Sequence, residues 1–396
     1  MSASSEATPS LEWLIRPMGR EVFFSEYWEK QPLVVKRGQP DYFGSLLSLD
    51  EVDRVLTTLD RRYPDVTLKN AARNVTARDY TVRGDGLDVA RVYQLFEEGS
   101  TITLAFLDNV VPALASFCRS LESEFSFPVQ TNVYLTPPRA QGARYHYDTH
   151  DVFVLQVVNS KRWTIYGTPV ESPLSVQEFD AEQHPRGEPA LQFELGPGDV
   201  AYVPRGIVHD AQSGEDLSLH ITAGVLARTW TDLLLEFVAD ACLNDPAFRK
   251  SLPPGFARPG FDRGEPHKAF ENLLQKLADK PNLDPVLDRF VDGFVSACPP
   301  LLRGQMDQIT SLARLSADSA VSARPGLIFY LRTEGDFVLL ECYGRTIKFP
   351  ARAREAINFA MGNSEFHVRD IPALDEAGRL ALVRRLIREG LLQQTG

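Results

Sequence analysis

With 396 residues the chain is about two to four times the length of a typical single domain, so two or three domains are expected. Hydrophobic residues make up 43% and charged residues 24%, which excludes a mostly disordered chain. The formal net charge of −11 disfavours nucleic acid and anionic membranes as partners and leaves basic proteins or peptides open.

The cysteines Cys118, Cys242, Cys298 and Cys342 are scattered and form no CxxC pair, so neither a zinc ribbon nor a disulfide framework is expected. The N-terminus has no basic start followed by an apolar core, and no run of about 18 apolar residues occurs, so the chain reads as cytoplasmic with no membrane segment. Residues 1–10 are small and polar and are expected to be a disordered tail. Residues 32–36 read as a strand. A helix is predicted to start after Ser48, with Glu51 completing a capping box. Helices are predicted over 89–98 and 113–125 from their three- and four-residue apolar spacing, the second with Pro112 near its start.

From residue 127 to 227 the pattern changes. Short runs rich in Val, Tyr, Phe and Thr (131–135, 152–158, 163–166, 191–194, 199–203 and 217–224) are separated by Pro, Gly, Asn and Asp clusters. Such spacing predicts a β-sandwich or barrel. Helical spacing returns from 230 to about 320. Strands are then expected at 327–331, 337–342 and 346–349, followed by helices over 351–361 and 375–389, a small unit resembling a winged helix.

The chemistry-bearing pattern lies in the β region. His146 and Asp148 are two residues apart, so on a strand both would project to one face. The turn Gly196-Pro197-Gly198-Asp199 leads through a strand and a Pro/Gly break to His209, which barrel closure can bring alongside them. Two imidazoles and one carboxylate form the facial triad of non-haem Fe(II) oxygenases, although Zn or Mn also accept such ligands. His150 is not expected to ligate, because a fourth protein ligand would fill a position the reaction needs. A 2-oxoglutarate co-substrate would need a buried cation; Lys161 and Arg162 are the candidates and, being neighbours on a strand, would face opposite sides.

The stretch TNVYLTPPRAQGARYHYDTHDVFVLQVVNSKRW (131–163) closely resembles the JmjC-type, cupin-like ribosomal oxygenases, as do GDVAYVPRGIVHDA (198–211) and SLHIT (218–222). Weaker similarity extends to residues 27–33 and 95–99 and to the helical and C-terminal segments. The resemblance implies an α+β chain: a double-stranded β-helix catalytic domain over 11–228 with its N-terminal lead-in, a helical dimerisation domain over 229–323, and a winged-helix-like domain over 324–396. It implies iron ligands at His146, Asp148 and His209, and Lys161 as the 2-oxoglutarate cation, with further co-substrate contacts at Asn132 and Thr222. A second polar position found in some relatives is Gly224 here. Strand parity adds Tyr134 and His220 as pocket-wall candidates, and Arg144 joins them as a substrate-pocket candidate. The implied activity is Fe(II)-, 2-oxoglutarate- and O2-dependent hydroxylation of an Arg or His side chain in a ribosomal protein, yielding succinate and carbon dioxide. Hydroxylation of another peptide or a small molecule, and a non-enzymatic winged-helix regulator, are the alternatives. A homodimer is expected. The C-terminal segment has 11 Lys or Arg against 9 Asp or Glu, so no DNA binding is expected. The acidic remainder predicts acidic residues around the barrel mouth.

Overall fold

The computed structural model describes residues 9–82, 84–279 and 282–395. They form two compact units divided between Ala227 and Arg228. Most of the expected 1–10 tail lies outside the described residues. Ser10 does not: its hydroxyl accepts from the Trp13 amide at 3.2 Å and caps the helix Leu11–Ile15.

The first unit contains β1 (Leu33–Val35), β2 (Val66–Lys69), β3 (Thr81–Val82), β4 (Gly86–Leu87), β5 (Thr101–Leu104), β6 (Val129–Thr136), β7 (Asp151–Val158), β8 (Lys161–Ile165), β9 (Leu191–Leu195), β10 (Val200–Val203), β11 (His209–Ser213) and β12 (Ser218–Val225). A seven-stranded sheet runs β1-β10-β7-β12-β6-β5-β2, and a three-stranded sheet runs β11-β8-β9; every pair is antiparallel. From β6 to β12 the chain passes between the two sheets, with β6, β7, β10 and β12 in the large one and β8, β9 and β11 in the small one, as in a double-stranded β-helix. The strands predicted at 32–36 and between 127 and 227 lie close to β1, β6 to β10 and β12, whereas β2 to β5 and β11 were not predicted. The ladder that positions His209 itself has too little apolar patterning to be read from sequence.

The strand β7 is buried on both faces. Phe153, Leu155 and Val157 belong to the main core, built with the N-terminal helices and residues such as Phe23 and Leu121. Val154 faces the barrel interior with Trp163, Leu195 and Ala201. The helix Leu49–Thr58 starts where expected, with the Ser48 hydroxyl accepting from the Glu51 amide at 3.2 Å. The predicted capping box is only half formed, because the Glu51 carboxylate instead accepts two bonds from the Arg54 guanidinium, each 2.7 Å. Pro112 opens the helix Pro112–Phe125.

The second unit begins with the helices Trp230–Asn244, Gly264–Asp279, Asp284–Ala297 and Gln305–Ser311. It continues with β13 (Ala320–Ala323), β14 (Tyr330–Glu334), β15 (Phe337–Cys342), β16 (Arg345–Pro350), β17 (Phe366–His367) and β18 (Leu392–Gln394). Two three-stranded sheets, β14-β15-β16 and β17-β13-β18, share a core with the helices Arg354–Gly362 and Glu376–Arg388. The strand expected at 327–331 starts three residues later, at Tyr330. The β17-β13-β18 sheet was not expected; its strands of two to four residues are too short to show a period.

Candidate metal centre

The segment 144–148 is not the regular strand its pattern predicts. His146 makes one antiparallel bridge to His209, with the His146 amide donating to the His209 carbonyl at 3.0 Å and the reverse bond at 2.8 Å. The chain then leaves the ladder, because Tyr145 and Tyr147 pack edge-on against Phe179 and the Tyr147 hydroxyl donates to the Gln177 carbonyl at 2.9 Å. Asp148 is held from the other side, its carbonyl accepting from the Gly206 amide at 3.0 Å.

His146, Asp148 and His209 converge, each offering one ligand atom within 4.8 Å of the others. The His146 and His209 Nε2 atoms each lie 3.7 Å from an Asp148 oxygen. Each Nδ1 faces a backbone carbonyl, that of Arg144 at 2.8 Å and that of Ile207 at 3.0 Å. A carbonyl only accepts, so each Nδ1 carries the proton and each Nε2 turns its lone pair inward, as metal-ligating histidines require. Burial, reinforced by His146, lowers the pKa of His209. Burial opposes ionisation of Asp148, but His209, His146, His150 and Lys69 outweigh it and hold its pKa below the usual carboxylate value. His150 does not join this group. Its ring lies against Gly224, where a Cβ would come 2.7 Å from Cδ2, so a side chain at 224 and the His150 ring exclude each other.

The triad opens into a cavity in the barrel. Lys161, Thr222, Tyr134 and His220 line it, with Trp163, Thr101 and Thr103. Lys161 is buried, and its Nζ donates to the Thr136 hydroxyl at 3.0 Å, with no carboxylate of a described residue paired with it. Burial lowers its pKa to about 7. His220 is buried and stacked flat on Tyr134, with ring centroids 4.8 Å apart. Burial, aided by Lys161, pushes its pKa well below the usual value. The His220 Nδ1 and Trp163 Nε1 are buried without hydrogen-bond partners. A buried amine lacking a counter-ion and unpaired ring nitrogens form a site suited to an anion.

Three sequence candidates are placed elsewhere. Arg162 is exposed, on the opposite face of β8 from Lys161. Asn132 pairs with Thr222 across the sheet, but its side-chain oxygen accepts from the Phe106 amide at 3.4 Å and it is not on the cavity wall. Arg144 is also off the wall; it is exposed, with Nε 3.4 Å from the Ala71 carbonyl. Sequence reasoning missed Lys69, Thr101 and Thr103, which reach the wall through the β2-β5-β6 pairing. Nothing local marks them, since they come from short strands outside the recognisable motifs. Lys69 also means that the mouth is not an unbroken acidic ring. The loop 167–190, beside Tyr145 and Tyr147, does carry five acidic residues and one arginine.

A family model for the JmjC domain matches residues 108–233. The chain is 31% identical over 323 residues to ribosomal oxygenase 1 of Rattus norvegicus, covering 76% of this chain and 53% of that protein. It is 32% identical over 318 residues to the bifunctional lysine-specific demethylase and histidyl-hydroxylase NO66 of Drosophila melanogaster, covering 74% and 48%. The chain thus spans about half the length of the curated relatives it matches. Among solved structures it resembles E. coli ycfD, with a TM-score of 0.58 at 16% identity over 95% of this chain and 98% of that one. It also resembles YcfD, a ribosomal oxygenase from Escherichia coli, in complex with cobalt and 2-oxoglutarate, with a TM-score of 0.55 at 16% identity over 96% and 99%. At this identity the structural likeness shows the fold.

Proposed function

Because the chain belongs to the JmjC-type ribosomal oxygenase family, we propose that it is a 2-oxoglutarate- and Fe(II)-dependent oxygenase that hydroxylates an Arg or His side chain of a ribosomal protein. The observation that carries this reading is the pairing of the two-histidine, one-carboxylate cluster with a buried amine that lacks a counter-ion, inside one cavity. The residues fit both groups. His146, Asp148 and His209 would hold the metal and leave its other positions open. Lys161 would take the far carboxylate of 2-oxoglutarate, with Thr222 and the neutral His220 beside it. Iron with 2-oxoglutarate and dioxygen would supply the oxidising power for hydroxylation, with succinate and carbon dioxide as by-products.

The chain's own contribution is ligation, orientation and exclusion of water. The carbonyls of Arg144 and Ile207 fix the imidazole tautomers. The Gly206 amide fixes the backbone of Asp148. Tyr134, Trp163 and Val154 wall the cavity and lower its polarity, which strengthens the pairing of Lys161 with a carboxylate. Asn132 would contribute through the Phe106 turn rather than by touching the co-substrate. The acidic loop 167–190 would attract a basic ribosomal protein. Residues 229–323 would form a homodimer, and 324–396 a winged-helix-like packing module with no DNA-binding role. A cytoplasmic location would go with a ribosomal substrate.

Calorimetric titration of 2-oxoglutarate into the purified protein tests the site. Binding is expected only with Fe(II), or with Mn(II) under air, and is expected to be lost in His146→Ala and Asp148→Ala. Binding that ignores the metal and both substitutions would refute the reading. Mass spectrometry of ribosomal proteins from cells lacking this chain tests the substrate: a +16 Da modification is expected to disappear.

A further inference from the structure

The lead-in segment 27–33 carries part of the family resemblance but has no role in the proposed function. It reaches the metal centre through one ring of polar contacts. Glu29 sits at φ +55°, a conformation that non-glycine residues seldom adopt, and its amide donates to the Tyr202 hydroxyl at 2.9 Å. That hydroxyl donates in turn to Asp151 Oδ1 at 2.7 Å, and the Asp151 side chain is fully buried. Asp151 Oδ2 accepts from Arg205 Nη1 at 3.1 Å, and the same nitrogen pairs with the Glu29 carboxylate, which closes the ring. Trp28 stacks on Tyr202 with ring centroids 5.8 Å apart.

Two members of this ring adjoin the metal ligands in the chain. Arg205 belongs to the turn 204–207. In that turn the Gly206 amide donates to the Asp148 carbonyl at 3.0 Å, and the Ile207 carbonyl faces His209 Nδ1 at 3.0 Å. Asp151 opens β7, three residues after Asp148. The ladder between β10 and β7 ends at Val203 and Val152, so it stops short of both Arg205 and Asp151, and their side chains bridge the remaining gap. The Arg205 side chain is only 9% exposed and lies between two carboxylates, so moving it would strand charges held largely out of water. We propose that Glu29 and Arg205 are positioning residues for the metal centre: the lead-in segment holds the turn 204–207 where it restrains Asp148 and fixes the tautomer of His209. This rests on the proposed function and deepens it, because part of the metal affinity then comes from a segment that precedes every strand of the barrel.

The test titrates Mn(II) into the metal-free full chain, with thermal melting of each variant as the measure of its fold. Glu29→Lys sets a like charge against Arg205 at a side chain that is 36% exposed, so the core packing stays in place. It is expected to weaken Mn(II) binding by about tenfold, as loss of a partner that orients metal ligands does. The isosteric Glu29→Gln is expected to fall between it and the wild type. Arg205→Met is expected to weaken binding at least as much as Glu29→Lys. Adding Glu29→Lys to Arg205→Met should cost nothing further, because Glu29 acts through Arg205. Glu122→Gln is the comparison. It breaks the buried Arg119–Glu122 pair, 2.9 Å long in the same unit, and is expected to lower the melting temperature while leaving Mn(II) affinity unchanged. A ring with only a structural role would behave like that pair. Wild-type affinity in Glu29→Gln and Glu29→Lys would overturn the proposal, whatever Arg205→Met does. A wild type that binds no Mn(II), or whose binding survives His146→Ala, would instead refute the site itself.

Discussion

Lys161 concentrates the energetics of the cavity in one amine. Burial disfavours its charged form, and a single hydroxyl from Thr136 does not compensate. Its pKa in the folded, ligand-free protein is about 7, against an ordinary value of 10.5. Between those values the unfolded chain binds more protons than the folded one, so the stability of the ligand-free protein should rise as pH climbs from 7 to 10.5. A bound carboxylate favours the ammonium, so 2-oxoglutarate should draw in a proton whenever the pH exceeds about 7. Affinity is therefore expected to weaken from pH 7 to 9, with proton uptake visible as a buffer-dependent enthalpy. Lys161→Met should abolish both pH slopes and weaken binding by about tenfold or more. An unchanged slope in that variant would assign the proton to another group. In the sequence, strand parity left Lys161 and Arg162 as competing candidates facing opposite sides, and only the family resemblance favoured Lys161. Asn132, which the family resemblance supplied, turns its side-chain oxygen to the Phe106 amide, and Arg144 is exposed near the Ala71 carbonyl; where an amide or a long side chain finds its partner is not written in the local sequence. Lys69 was not visible at all: its place on the wall depends on a strand pairing between segments that carry no motif.

At the scale of elements, the triad depends on a turn more than on a strand. The pattern at 144–148 suggested a ladder that would set the ligands by alternation. One bridge to His209 replaces it, and the remaining constraint comes from the turn before His209. Gly206 sits at φ +84°, where a Cβ would lie 2.3 Å from the Val170 carbonyl oxygen and 2.8 Å from Pro173 Cδ. Its amide also holds the Asp148 carbonyl. Gly206→Ala is thus expected to cost about 1–3 kcal/mol from backbone strain alone, with a further loss from the clash. It should weaken metal binding as well, because the same turn carries His209 and restrains Asp148. Gly187→Ala is the control, since no atom lies within 4 Å of the added methyl. Thermal melting and metal titration of both variants check this. Equal behaviour of the two would show that the turn does not restrain the ligands. The Pro/Gly break was plain in the sequence; that its glycine contacts the loop 167–190 and the aspartate backbone could be known only from the closed barrel.

At the scale of the whole molecule, one surface remains to be explained by assembly. The helix Trp230–Asn244 has a capping box, with the Thr229 hydroxyl accepting from the Asp232 amide at 3.2 Å and Asp232 bonding back to the Thr229 amide at 2.7 Å, so its start is well specified. Yet none of its residues is buried, and Trp230, Leu235 and Leu243 are 76%, 66% and 78% exposed. Phe270 and Leu274 on the helix Gly264–Asp279 are also exposed. Helices this apolar gain little from remaining in water, at about 25 cal/mol for each Å² of apolar surface left uncovered. A second copy of the same segment would cover them by a self-complementary contact. Sedimentation of the wild type should accordingly show a dimer. Leu235→Glu combined with Leu243→Glu should give a monomer, because an isologous contact buries each new carboxylate twice without a partner. Fe(II)-dependent binding of 2-oxoglutarate, which depends on the barrel in the other unit, provides the check that the double variant is folded. A wild-type monomer at tens of micromolar, or a double variant that stays dimeric, would show that some other partner covers this surface.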